Sequence, residues 1–352
     1  MTEPVLAPDA TLRDAIRVIE QTRRLIAAVV DEKGQLLGIL SDGDVRRAIL
    51  AGRELDSPAR HAMTRTPIIG PAGARHEELV DIMMSRGVAA IPVVDEAGRF
   101  IRVVHASDFE DRREATGGER FAAAIVMAGG EGRRLRPLTL DRPKPMIDIG
   151  GVPLLERQVR GMAQSGLKRI FISTNYLGHM IESHFGDGSD FGVEIRYLRE
   201  AKRLGTAGAL SLLPKLPQGP ILVVNGDVLT RSDFGKLLVF HEETDADITV
   251  SAMVHRVEIP FGVLKIDGHR VLDIEEKPSQ SFLCNAGIYV LVPETLKLIP
   301  AETAIDMTDV IAAAMAAGMR VSVFPIHEYW ADIGSPADLE LALAEFSEAT
   351  TR

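Results

Sequence analysis

The sequence predicts an α/β protein in two parts: a small duplicated module, then a larger domain on a mostly parallel sheet with a small mixed sheet added. Three observations carry this. A segment of the first third recurs 64 positions later, from Asp31 to Asp95 and from Gly34 to Gly98. From Phe121 onward, apolar strand-like runs alternate with amphipathic helical ones. A loop rich in glycine and arginine follows the first of those strands.

In the repeat, "AAVVDEKGQLLGILSDGDVRRAIL" lies over "IPVVDEAGRFIRVVHASDFEDRRE" without a gap, so that Asp44 matches Asp108. Each copy predicts a helix first, on Leu12, Ile16 and Ile19 or on Leu79, Val80 and Met83. A strand, a D-E-x-G turn, a second strand and a closing helix follow. Each copy leaves an apolar face, and the two faces are expected to bury one another. The polar, Gly-containing stretch "REATGGER" ends the module. We therefore expect a first unit at 1–57, a second at 58–114, a linker at 115–120 and the large domain at 121–352.

In that domain "AAAIVM" predicts a strand, and "PLLERQVRGMAQSG" a helix with Pro153 at its start and Gly166 at its end. Strands "RIFIST", "VEIRYL" and "PILVVNGD" alternate with helices around "GHMIESHF", "TAGALSLL" and "SDFGKLLVFHEET", the pattern of a parallel sheet covered on both faces. Four strand-like runs then come in succession: "DITVSAMV", "GVLKI", "VLDIEEK" and "CNAGIYVLV". They predict an added mixed layer. "PADLELALAEF" closes the chain as a helix capped by Ser335.

Composition narrows the function. The chain has 352 residues, 46% of them hydrophobic, and a net charge of −10, which argues against nucleic acid as the partner. No apolar run approaches the roughly 18 residues of a membrane span, and the N-terminus lacks a signal-peptide pattern. A single cysteine, Cys284, excludes an internal disulfide and fits a reducing compartment, so a cytoplasmic protein is expected.

Against this acidity, "MAGGEGRRLRPLTLDRPKP" (127–145) holds three glycines, four arginines and a lysine. A glycine loop leaving a parallel strand lies where such sheets bind ligands. Gly129, Gly130 and Gly132 allow close backbone approach to phosphate oxygens, and Arg134 and Lys144 add full charge. Pro143 and Pro145 stiffen the lysine's backbone. A basic surface loop would show the same composition. Arg133, Arg136 and Arg142 have no assigned task and read as surface charge, and no histidine has metal-ligand spacing.

Two resemblances extend this reading. Gly38-Ile39-Leu40-Ser41 with Asp44 resembles the ligand pattern of CBS domains, so the repeat looks like a tandem CBS module. The resemblance implies an adenine-nucleotide site using Ser41, Asp44 and, in the second copy, Asp108. That copy departs from the pattern, with Arg102 for the small residue and His105 for the hydroxyl. Ser41 followed by Asp44 is equally a plain helix N-cap with an acidic N3 residue.

From about Phe121 to Phe346 the chain resembles the sugar-1-phosphate nucleotidylyltransferases. The carriers are "AGGEGRRLRPLT…PKP", "LGTAGAL" (204–210), "NGD", "FGV", "EEKP", "NAGIY" and "WADIGSP", in the family's order. The resemblance implies a Rossmann-like fold and transfer of a nucleotidyl group from a nucleoside triphosphate to a sugar 1-phosphate. By it Ala128, Gly129, Gly130, Gly132, Glu200, Gly205 and Thr206 would bind the nucleotide. Arg134 and Lys144 would hold the triphosphate, and Gly262, Glu276, Lys277 and Asn285 the sugar phosphate. Asp227 and Asp332 would coordinate Mg²⁺, and the catalytic set is Arg134, Lys144, Asp227 and Lys277. A carboxylate at Glu200, where thymidylyl-transferring relatives carry Gln, suits the donors of guanine. Together with the layout, which resembles glucosamine-1-phosphate guanylyltransferases of legionaminic acid pathways, this favours GTP and glucosamine 1-phosphate. Mannose-1-phosphate guanylyl transfer and glucose-1-phosphate thymidylyl transfer are the alternatives within the class. A nucleotide-sensing regulator with an inactive transferase domain is the alternative outside it. A homo-oligomer is expected from the CBS module.

Overall fold

The computed structural model describes residues 3–22, 25–75, 90–105 and 120–348, with positions 78, 79, 82, 83, 86 and 88 between them. The chain divides into two compact units, Met1–Glu114 and Ala115–Arg352.

In the first unit, β1 (Val5–Leu6) runs parallel to β2 (Ile26–Val30), which pairs antiparallel with β3 (Leu36–Ser41). Helix α1 (Leu12–Thr22) buries Leu12, Ala15, Ile16 and Ile19, an i, i+3, i+4, i+7 stripe, on this sheet. Its first turn is fixed by Thr11, whose N–H and hydroxyl both donate to Asp14. Helix α2 (Asp42–Leu50) follows β3 directly. The second copy repeats the sheet with β4 (Gly70–Pro71), β5 (Ala90–Val94) and β6 (Phe100–His105). The bulge between Val29 and Val30 recurs between Val93 and Val94, so the repeat is kept residue by residue. The copies meet through Ile26, Ala90 and Val103, and their turns join by N–H groups of Leu36 and Phe100 donating to Gly98 and Gly34.

The second unit is a seven-stranded sheet. Its strands are β7 (Ala123–Met127), β8 (Arg169–Thr174), β9 (Glu194–Arg199), β10 (Ile221–Asn225), β12 (Ile248–Glu258), β15 (Ser279–Leu291) and β16 (Val321–Ile326). In space the order is β9-β8-β7-β10-β15-β12-β16, and only β15 runs antiparallel to its neighbours. Alternation along β7 assigns each residue to a face: Ala124 and Val126 to one, Ala123 and Ile125 to the other. The first face is covered by α3 (Leu154–Gln164), α4 (Gly178–Phe185) and α5 (Phe234–Glu243). The second is covered by α6 (Met307–Ala316) through Met307, Val310 and Ala314.

Two differences from the sequence reading matter for the site. "TAGALSLL" forms only a 3₁₀ turn, Gly208–Leu212, because the preceding Gly205 sits at φ +77 and two glycines weaken any helix. The four late strands also divide their roles. The ends of β12 and β15 nearest the core join the main sheet, while their outer ends and the hairpin of β13 (Val263–Asp267) and β14 (Arg270–Glu275) form an exposed arm. Finally, β11 (Val228–Thr230) pairs antiparallel with β17 (Trp330–Asp332), and α7 (Pro336–Glu348) follows. That short pairing brings two distant carboxylates together.

Candidate active site

The site forms where β7 and β10 end side by side. Gly226 N–H donates to the Met127 carbonyl, tying the start of the glycine loop to the turn that carries Asp227. A Cβ on Gly226 would meet that carbonyl oxygen at 2.7 Å, so only glycine lets the strand ends approach this closely. The β11–β17 register sets Val228 opposite Asp332, and the Asp227 carbonyl accepts from Ile333 N–H.

Lys144 reaches into this junction. Its ammonium is 2.5 Å from an Asp227 carboxylate oxygen and 4.0 Å from one of Asp332, and its side chain is only 10% exposed. The lysine reaches there because its stem lies against Gly132, where a Cβ would come within 2.8 Å of the Lys144 Cβ. Gly132 stands at φ +61 and its carbonyl accepts from the Thr139 hydroxyl. Arg134 follows on a 3₁₀ turn, and its guanidinium points to Gly334 on the Asp332 side of the site. Burial pushes the Asp332 carboxyl up, and the nearby Asp227 charge adds to the push, while Lys144 and Arg134 oppose it. Two crowded carboxylates with hard oxygen donors favour a cation between them, so the pair suits Mg²⁺.

Beside this cluster lies a cavity of about 210 Å³, lined by Gly129, Gly130, Ser173, Glu200, Arg203, Leu204, Gly205, Thr206, Asn225, Asp227 and Asp306, among others. Glu200 is buried beneath the glycine loop: a Cβ on Gly129 would lie 2.5 Å from its Oε1. Its other oxygen accepts from Leu204 N–H at 3.0 Å. Burial pushes its carboxyl above the ordinary range, against the hydrogen bonds of Leu204 and Ser173. Ala128 N–H donates to the Ser173 hydroxyl. Of the nucleotide candidates, Gly129, Gly130, Glu200, Gly205 and Thr206 line this one cavity and Ala128 bonds its Ser173, whereas Gly132 lies against Lys144 and Thr139 and is not among the lining residues. Two arginines outside it have a surface partner: exposed Arg133 pairs with Glu131, which Arg136 also approaches to 3.9 Å, as does Arg203 from the cavity lining.

The sugar candidates lie differently. Gly262, Glu276 and Lys277 sit on the exposed arm, where a Cβ on Gly262 would meet a Glu276 carboxylate oxygen at 3.0 Å. Lys277 stands at φ +46, a strained backbone for a long side chain. Among the described residues, the ion pairs of the site join Lys144 to Asp227 and Asp332 and do not extend to Lys277. Asn285 is exposed on β15 and its Oδ1 accepts from Gly287 N–H. Gly287 is at φ +69 and leaves the space that Asn225 fills.

Of the lining residues named above, five were not sequence candidates: Ser173, Arg203, Leu204, Asn225 and Asp306. Asn225 stood in the "NGD" motif, but Asp306 lies 100 residues from the loop it bonds.

In the first unit, Ser41 and Asp44 meet each other. Asp44 accepts from the N–H and hydroxyl of Ser41, from Arg47 at 2.6 Å and from the Thr64 hydroxyl. A Cβ on Gly38 would lie 2.6 Å from the Thr64 carbonyl oxygen. Asp108 lies outside the described residues.

Comparison with known proteins supplies a family. Residues 123–348 match the family model described as nucleotidyl transferase, and residues 1–51 and 59–112 match the CBS domain model. A mannose-1-phosphate guanylyltransferase of Mycobacterium tuberculosis is 36% identical over 223 residues, which is 61% of this chain and 62% of that protein. A mannose-1-phosphate guanyltransferase of Yarrowia lipolytica is 35% identical over 225 residues, 61% of each chain. The alignments thus span less than two thirds of these relatives. Among solved structures, HddC from Yersinia pseudotuberculosis complexed with GMP-PN is 26% identical, with a TM-score of 0.50 over 64% of this chain and 99% of that one.

Proposed function

Because the chain belongs to the nucleotidyl transferase family, we propose that it transfers a nucleotidyl group from a nucleoside triphosphate to a hexose 1-phosphate, with GTP and glucosamine 1-phosphate as the preferred pair. The observation that carries this reading is the seat of Lys144 between Asp227 and Asp332, at the edge of a cavity floored by Glu200. In the reaction, an oxygen of the sugar phosphate attacks the α-phosphorus in line. The bond from the α-phosphorus to the bridging oxygen breaks, and pyrophosphate leaves with that electron pair. The nucleophile is already an anion, so positioning and charge compensation suffice and no general base is required.

The roles follow from the groups present. Glycines 129, 130 and 132 let the backbone close on phosphate. Arg134 and Lys144 balance the charge that grows on pyrophosphate, and Lys277 meets the sugar phosphate. Asp227 and Asp332 would hold Mg²⁺, which when bound supplies charge neutralisation at phosphate oxygens. Glu200, Gly205 and Thr206 form the nucleotide side, and Glu276 and Asn285 the sugar side. Mannose 1-phosphate is the second reading for the acceptor, favoured by the names of the relatives above.

We assign the CBS module a regulatory role through an adenine nucleotide at Ser41, Asp44 and Asp108, and assembly as a homo-oligomer. Such regulation requires different ligand affinity in two enzyme states. Among the described residues no helix is long and apolar enough to cross a membrane. The test of the whole reading is pyrophosphate release measured with four triphosphates against a panel of hexose 1-phosphates. GTP is expected to be fastest; clear preference for dTTP or UTP would overturn the base assignment, and no turnover with any pair would overturn the class.

A further inference from the structure

We infer that Asp306 is a positioning residue that holds the nucleotide-side loop, Leu204–Ala207, in its working shape by bonding Thr206; the inference rests on the transfer reaction proposed above. One oxygen of the Asp306 carboxylate accepts from both the backbone N–H of Thr206, at 2.9 Å, and its hydroxyl, at 3.2 Å. The Thr206 hydroxyl in turn accepts from Met307 N–H at 2.9 Å, satisfying a donor in the first turn of α6. Backbone bonds flank this exchange: Ile305 N–H donates to the Leu204 carbonyl, and Ala207 N–H to the Ile305 carbonyl. The loop and the 303–307 segment are therefore joined like two short strands, with Asp306 as the side-chain bolt.

This juxtaposition explains the glycines of "LGTAGAL" better than ligand contact alone. A Cβ on Gly205 would strike the Ile305 carbonyl oxygen at 2.6 Å and the Asp306 carboxylate at 2.8 Å. A Cβ on Gly208 would strike the Thr303 carbonyl oxygen at 2.5 Å. Both positions are small because the 303–306 segment presses on them. Leu204, at the head of the loop, is the residue whose N–H holds Glu200. Displacing the loop would thus free the buried carboxylate on the cavity floor. Asp306 also lines the cavity, but both of its side-chain hydrogen bonds to the nucleotide side go to Thr206, and it lies far in sequence from every motif of that side.

The experiment compares Asp306→Ala, Asp306→Asn and Thr206→Val in steady-state turnover, each substrate varied in turn. Two hydrogen bonds worth about 0.5–1.5 kcal/mol each correspond to a rise of roughly tenfold in KM for the triphosphate. Asp306→Ala is expected to show that rise, with KM for the sugar phosphate within twofold of wild type. Asp306→Asn keeps an accepting oxygen and is expected to stay near wild type. Thr206→Val keeps the backbone donor and is expected to raise the triphosphate KM by about threefold, which also serves should Asp306→Ala fail to fold. An unchanged triphosphate KM in the folded variants, equal rises for both substrates, or an Asn variant as impaired as the Ala variant would each overturn the inference. Turnover by the wild-type chain tests the transfer reaction separately, since the inference depends only on ratios to wild type.

Discussion

The nucleotide half and the sugar half of the candidate site are built on opposite principles. Lys144, on the nucleotide side, is 10% exposed and ion-paired, and Glu200 is buried and bonded. The sugar side rests on an arm whose apolar residues stand in solvent, with Phe261 72% and Ile266 64% exposed, and its Lys277 is exposed as well. A preorganised half costs little to fill, whereas an open half must gather its contacts as the ligand arrives. The difference teaches where substitutions should change the chemical step and where they should change only acceptor binding.

The largest effect is expected on the preorganised side. Asp227→Asn removes the main partner of the Lys144 ammonium and one of the two carboxylates that suit Mg²⁺. A fall in kcat of about 10²–10³ is expected in the pyrophosphate-release assay, the scale seen when one preorganised electrostatic group is deleted. An undiminished kcat would remove Asp227 from the chemistry, whereas absence of turnover by the wild-type chain would favour the sensor alternative, in which the transferase domain is inactive.

Lys277→Ala should have a smaller and different effect. A hydrogen bond to a charged group is worth about 1.5–3 kcal/mol, so KM for the sugar phosphate should rise roughly 10- to 100-fold. KM for the triphosphate should stay within twofold, since the ion pairs of the nucleotide side do not extend to Lys277. Parallel rises in both constants would erase the contrast between the halves.

How much of this was legible in the sequence follows the same divide. The parallel alternation, the repeat and the glycine loop were readable because each is a local periodic or compositional signal. The convergence of Lys144, Asp227 and Asp332 depends on the register of β11 with β17, which no local signal specifies, and only family resemblance pointed to it. Asp306 escaped altogether. Its sequence neighbours, "AIDMTD", read as an ordinary helix start, and its partner Thr206 lies 100 residues away. The role of the glycines in "LGTAGAL" was likewise hidden, because the carbonyls that press on Gly205 and Gly208 belong to that distant segment. The succession of late strands misleads in another way. Period-two alternation cannot tell the core-facing ends of β12 and β15 from their outer ends, since both repeat every second residue.

The smallest expected effect concerns Glu200, and it joins stability to base choice. Burial raises its carboxyl above the ordinary value of 4.5. Between that value and the raised one the folded chain binds more protons than the unfolded chain, so stability falls as pH rises through this window. Above the window the cost of holding a buried carboxylate is fully present; below 4.5 it is gone. Glu200→Gln removes the charge while keeping an oxygen for Leu204 N–H. Its melting temperature at neutral pH is expected to exceed that of wild type by roughly 2 °C, and the advantage should vanish at pH 4. The same variant should lose preference for GTP over dTTP by about tenfold, since an amide can donate as well as accept and no longer matches the two donors of guanine. A Gln variant that is less stable at neutral pH, or one with an unchanged GTP preference, would show that Glu200 supports the glycine loop and does not read the base.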